Sequence, residues 1–128
     1  MRLNFVSGLA VLLAGCGGLN LTASNGNNGG GNTGPTAAIT VQDYSYAPSV
    51  ITIKAGTKVN WTNNGPSSHS VTSDTTGQFD SGALDAPMGN GYGGMTSGGL
   101  FQVTFSTPGT YTYHCMFHAQ MHATITVQ

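Results

Sequence analysis

The chain has 128 residues and a formal net charge of −1, and only 5% of its residues are charged against an ordinary share of about 25%. Three Lys and Arg in the whole chain cannot form the clustered basic surface that nucleic-acid recognition requires. The two cysteines, Cys16 and Cys115, exclude a disulfide-stapled mini-protein and a four-cysteine zinc or iron–sulfur site.

The first element reads as an export signal. Arg2 is followed by an apolar stretch from Phe5 to Leu13, far short of the ~20 residues that span a bilayer. A positive start, a short apolar core and small residues at its end are the physical pattern of a secretory signal. The end of this stretch, Leu13-Ala14-Gly15-Cys16, resembles the lipobox of bacterial lipoproteins. That resemblance implies a signal peptide over residues 1–15, removed before an acylated Cys16. Several acyl chains on one residue anchor stably where a single chain does not. Residues 17–36 follow with seven Gly, five Asn and no charge. Such a segment buries too little apolar surface to offset the entropy of ordering. The expectation for residues 16–36 is a lipidated Cys16 and a flexible leash with an r.m.s. span of about 25 Å.

Residues 37–128 read as one all-β domain. Apolar and polar residues alternate in Ile39-Thr40-Val41, Ile51-Thr52-Ile53 and Val59-Asn60-Trp61. The same alternation returns in Phe101 to Phe105, Tyr111-Thr112-Tyr113 and Ile125-Thr126-Val127. Period two with β-branched and aromatic residues marks strands with one buried face. Turn signals separate them at Ala47-Pro48-Ser49, Ala55-Gly56-Thr57, Asn63-Asn64-Gly65-Pro66 and Thr107-Pro108-Gly109. This spacing predicts a β-sandwich or small barrel, with Trp61, Phe101, Val103, Phe105, Tyr111 and Tyr113 in the core. Residues 85–99, with six glycines among fifteen, read as a long loop.

Reactive side chains concentrate near the C-terminus. Tyr113 to Cys115 to His122 holds one thiol, three imidazoles and two thioethers in ten residues, and His69 lies 46 positions before Cys115. Two His, one Cys and a weak axial Met form the soft donor set that suits copper cycling between Cu(I) and Cu(II). The spacing Cys115-x-x-His118-x-x-Met121 puts three such donors in one loop at a strand end. Paired carboxylates, a nucleophile motif and a phosphate loop are absent from the sequence, so no enzyme is expected.

The stretch from about Ala37 to Gln128 resembles a cupredoxin of the plastocyanin and amicyanin kind. The resemblance rests on the Cys-x-x-His-x-x-Met loop, on the Asn-rich turn from Asn63 leading to His69, and on Pro108-Gly109 followed by an aromatic strand into Cys115. It implies a Greek-key sandwich of the cupredoxin type and one mononuclear type 1 copper. His69, Cys115 and His118 would be equatorial ligands and Met121 the axial one. Many members carry Asn after the first His ligand, where this chain has Ser70. A hydroxyl offers a different donor set from an amide.

The resemblance further implies a one-electron carrier between redox proteins such as cytochromes or membrane respiratory or photosynthetic complexes. By the same likeness, Ala119, Phe117, Pro66 and the glycine loop are candidates for an apolar patch where the His118 edge reaches the surface. The domain is expected as a monomer facing the periplasm or cell exterior from a lipid anchor at Cys16. The alternative is a copper chaperone, storage or delivery protein. Its discriminator is copper transfer to a chelator set against reduction by a cytochrome. His114, next to Cys115 on a strand, is expected to face away from the metal. His122 reads as a surface residue, and Met88 and Met95 read as loop side chains filling gaps.

Overall fold

The structure is a computed structural model that describes residues 34–89, 91 and 93–128. The signal peptide, Cys16 and nearly all of the leash read from the sequence lie outside the described residues. Among the described residues every regular element is a strand, and no helix is long and apolar enough to cross a membrane.

Eight strands form two four-stranded sheets. They are β1 (Thr36–Gln42), β2 (Ser45–Ala47), β3 (Val50–Ile53), β4 (Thr57–Asn63), β5 (Thr72–Ser73), β6 (Leu100–Phe105), β7 (Gly109–His114) and β8 (His122–Val127). One sheet has the order β2-β1-β4-β6 and the other β3-β8-β7-β5. Each contains one parallel pair, β1 with β4 and β3 with β8. All six stretches of alternating sequence are strands, and the first strand starts at Thr36. Two short strands, β2 and β5, carry no alternation long enough to read.

The pleat explains the core. On β4, Val59, Trp61 and Asn63 point inward, and on β8 Ala123, Ile125 and Val127 do. Successive side chains of a strand alternate between faces, so each inward set closes against the opposite sheet. Trp61 is fully buried among Phe79, Phe101, Phe105 and Tyr113. Its Nε1–H donates to the Tyr113 hydroxyl at 3.2 Å, which satisfies the one polar atom of a buried indole. Burial pushes the Tyr113 hydroxyl pKa up to about 12, so it stays protonated at neutral pH.

Phe101, Val103 and Tyr111 pack against this core but remain partly exposed. β6 is an edge strand, so Phe101 and Val103 have an open flank. β5 covers only the Tyr113–His114 end of β7, so Tyr111 has a strand on one side alone, β8, and its hydroxyl donates to the Thr107 carbonyl in an exposed turn.

The sandwich has two distinct ends. At one, Lys58 N–H bonds to Pro35 O, Gly56 N–H to Phe105 O, and Ala55 N–H to Gln128 O. Both limits of the described chain therefore meet the start of β4 there. At the other end lie Asn63, the segment through His69 and the 115–121 loop, which joins β7 to β8 beyond the His114–His122 pair.

Candidate metal centre

β7 places Cys115. Tyr111, Tyr113 and Cys115 follow one another at period two, so the thiol takes the next inward position after the strand ends, and it is 1% exposed. The loop that follows is tied to itself. Cys115 N–H donates to Met121 O at 3.1 Å, and Met121 N–H to His118 O at 2.9 Å. These bonds turn the chain back so that His118 returns over Cys115, and Met121 is buried beneath the same loop.

His69 comes from a different part of the fold. Asn63 at the end of β4 organises its approach. The Asn63 amide donates to Ser67 O and to Leu84 O, both at 2.8 Å, and its Oδ1 accepts from Gly65 N–H at 3.0 Å. His69 then bridges Leu84 through both backbone bonds. Its ring is fully buried. The glycine-rich return of residues 85–99 closes this side. Gly98 is buried, and a Cβ on it would lie 1.8 Å from the Asn63 carbonyl oxygen.

These two routes bring three side chains together. His69 Nδ1 lies 3.9 Å from Cys115 Sγ, His118 Nδ1 lies 3.6 Å from Cys115 Sγ, and the two Nδ1 atoms are 3.2 Å apart. His69, Cys115 and His118 thus form a group that could hold a metal ion. Metal–nitrogen and metal–sulfur bonds of about 2.0–2.3 Å set three ligands roughly 3–4 Å apart around one ion, which these spacings match. The protonation pattern agrees. Nε2 of His69 lies 2.8 Å from Asp43 Oδ1. The Asp43 carboxyl is held below the ordinary aspartate range, first by the Ser67 hydroxyl bond, against partial burial, and then by His69. An ionised carboxylate only accepts, so Nε2 carries a proton, and Nδ1 is the ring nitrogen that faces the thiol and the second imidazole. The donors are one thiol and two imidazoles, a set suited to copper.

Ser70 braces the arrangement. Its N–H points to Cys115 Sγ at 3.3 Å, and its hydroxyl accepts from Met116 N–H at 2.9 Å. Tyr46 donates to its carbonyl. The position after His69 is thus filled by a hydroxyl that ties the segments of His69 and Cys115 together.

Several neighbours were invisible in the sequence. Asp43 and Tyr44, the two-residue turn between β1 and β2, each touch one imidazole. Asp43 bonds to His69, and Tyr44 sets its ring edgewise against His118 at 4.8 Å. Tyr44, Met116 and Phe117 are 53%, 65% and 55% exposed, and Pro66 and Ala119 are exposed as well. His118 itself is partly exposed. His114 faces outward and pairs with Asp74 at 2.6 Å, while His122 contacts Ala119 O at 2.8 Å on the surface. Met88 and Met95 do not fill gaps as expected: both are exposed, on a loop closed by the Gly89–Met95 bridge that holds them away from the core. The lone described cysteine, Cys115, is free and buried.

A sandwich of two four-stranded sheets with two imidazoles and a thiol converging at one end defines the cupredoxin class. Residues 36–128 match the model of the copper binding proteins of the plastocyanin/azurin family, and the chain belongs to that family. A plastocyanin of Scenedesmus fuscus is 38% identical over 85 residues, 65% of this chain and 86% of its own. A plastocyanin of Prochlorothrix hollandica is 33% identical over 104 residues, 73% of this chain and 77% of its own. Among solved structures, a purple cupredoxin from Nitrosopumilus maritimus aligns with a TM-score of 0.58 at 26% identity, covering 72% of this chain and 99% of that one.

Proposed function

We propose that the domain is a blue copper electron carrier that exchanges one electron at a time with redox-protein partners. The observation that carries this reading is the convergence of His69 Nδ1, His118 Nδ1 and Cys115 Sγ within 4.8 Å of one another. A copper ion bound there would supply the one-electron Cu(I)/Cu(II) couple. His69 and His118 would each present Nδ1, and Cys115 a thiolate. Met121, buried and clamped by its own backbone bonds to Cys115 and His118, would be the weak axial donor. His69 is sealed from solvent, whereas His118 is partly exposed beside Tyr44. The edge of His118 is therefore the ligand a partner can approach, through the apolar surface of Tyr44, Met116 and Phe117. A carrier is favoured over a chaperone because Asp43, Ser70 and Asn63 hold the ligands in place. A delivery site needs ligands that yield.

The test is a visible spectrum of the purified chain loaded with Cu(II). An intense thiolate-to-Cu(II) band supports the reading, and Cys115→Ser should abolish it while leaving the fold intact. A colourless parent protein, or a variant that stays blue, refutes the site.

The stretch read as an export signal, ending at Cys16, supports a place of action as part of the same proposal. The domain would work from a lipid anchor on a bacterial membrane, facing the periplasm or exterior. Cys16→Ala in the native host should move the protein out of the membrane fraction or leave it unprocessed. Unchanged membrane retention of a processed variant would refute the anchor.

A further inference from the structure

The β1–β2 turn places a carboxylate behind a buried imidazole of the metal centre. We propose that Asp43 is a positioning residue of this centre: it fixes His69 with Nδ1 toward the ion and lowers the reduction potential of copper held there. The inference rests on the copper reading above and extends it to a residue outside the ligand set.

The geometry is specific. His69 Nε2 and Asp43 Oδ1 are 2.8 Å apart, and the His69 ring is fully buried. The carboxylate is itself held in place: Ser67 donates to it through its hydroxyl at 2.7 Å and its backbone N–H at 3.3 Å. Room for this contact depends on Gly65. A Cβ there would lie 2.8 Å from Asp43 Oδ1 and 2.9 Å from Asp43 N. Three donors and a glycine contact thus converge on one side chain that otherwise only closes a two-residue hairpin.

Two consequences follow from the charge. A carboxylate that accepts the Nε2 proton makes the imidazole a more basic ligand at Nδ1, and such partners are worth about 10–100-fold in metal affinity. It also changes the charge balance. Cu(II) with one thiolate and one carboxylate sums to zero, whereas Cu(I) leaves one net negative charge. The His69 ring and the Cys115 thiol are buried, and among poorly solvated groups the neutral state is favoured; Asp43, though 21% exposed, bonds directly to that buried ring and so stabilises the oxidised form. A neutral acceptor in the same place would supply the orientation without the charge.

Substitution separates the two effects. Asp43→Asn keeps an acceptor for His69 and partners for Ser67 but removes the charge. In the purified, copper-loaded full chain it should retain the thiolate-to-Cu(II) band. At a fixed ambient potential it should shift the Cu(I)/Cu(II) ratio at least about tenfold toward Cu(I), equivalent to about 59 mV for one electron. Asp43→Ala removes both effects and should also weaken copper binding by about 10–100-fold. In the metal-free parent, nitrogen-15 NMR of the His69 ring should find the proton on Nε2. A proton on Nδ1, or an Asn variant with the potential of the parent, overturns the proposal. If Asp43→Ala fails to fold, the Asn variant and the parent's ring spectrum still decide. A parent without the thiolate band overturns the copper reading itself. A blue parent whose potential ignores residue 43 overturns only the role of Asp43.

Discussion

At the scale of single residues, Met121 and Ser70 make the sharpest contrasts. Met121→Leu nearly conserves volume in a buried position but deletes the thioether. Losing a weak axial donor disfavours Cu(II), so copper should stay bound while the potential measured by voltammetry rises. An unchanged potential would leave Met121 as packing alone. Ser70→Ala removes the acceptor for Met116 N–H while the Ser70 N–H contact to Cys115 Sγ remains. The loss should be about 1 kcal/mol, read from the denaturant midpoint of the metal-free protein, with a broader thiolate band in the copper form. His69, Cys115 and His118 were legible because imidazoles and a thiol in family spacing stand out in a chain so poor in charge. Asp43 and Tyr44 were not. Asp43 lies 26 positions before His69, and nothing in Gln42-Asp43-Tyr44-Ser45 reveals that the hairpin turn folds under the metal end.

The strands set what the sequence could tell at the next scale. β4 and β8 bury every second residue, and that regularity was readable directly. β2 and β5, with three and two residues, are shorter than any pattern of period two can register. The parallel pairs were equally hidden, because alternation gives a strand its faces and not the direction of its neighbour. The core expectation was sharpest for the central strand β4 and weakest for the edge strand β6, since burial depends on flanking strands that local sequence does not name. The loop of residues 85–99 carries a tighter constraint than its glycine content suggested. Asn63 N–H donates to Gly99 O, and Gly99 N–H donates to Asp85 O, so the loop threads between β4 and the residue after Leu84. A methyl group at Gly98 meets the Asn63 carbonyl and must displace it. Gly98→Ala should therefore destabilise the domain by about 1–3 kcal/mol, measured by chemical denaturation. Copper binding should weaken in parallel, because Asn63 also holds the turn into His69. Gly77→Ala is a useful contrast: it has open space around it, and its cost should come only from its positive φ and leave copper binding alone.

For the whole molecule, sparse charge is the governing property. Residues 36–128 contain Lys54 and Lys58 against Asp43, Asp74, Asp80 and Asp85. Two of these carboxylates are engaged by histidines. Little long-range field remains to steer a partner. The second-order rate of electron exchange with a small redox protein should change less than about threefold between low and high salt, measured by stopped flow. A steep salt dependence would mean that the partner is recognised by charge and not by the apolar edge at Tyr44 and Phe117. The placement of Pro35 and Gln128 has a further, practical reach. Pro35 and Gln128 both bond at the start of β4, and β1 runs from there toward the metal end for six residue steps, about 20 Å of strand. A reporter, carrier domain or electrode linker joined to the domain directly at Pro35 or at Gln128 would therefore stand on the far side of the sandwich from His118. Wired to a surface through either of these two residues, the domain would hold its redox centre toward solution: free for a diffusing partner, and poorly placed for direct exchange with the support.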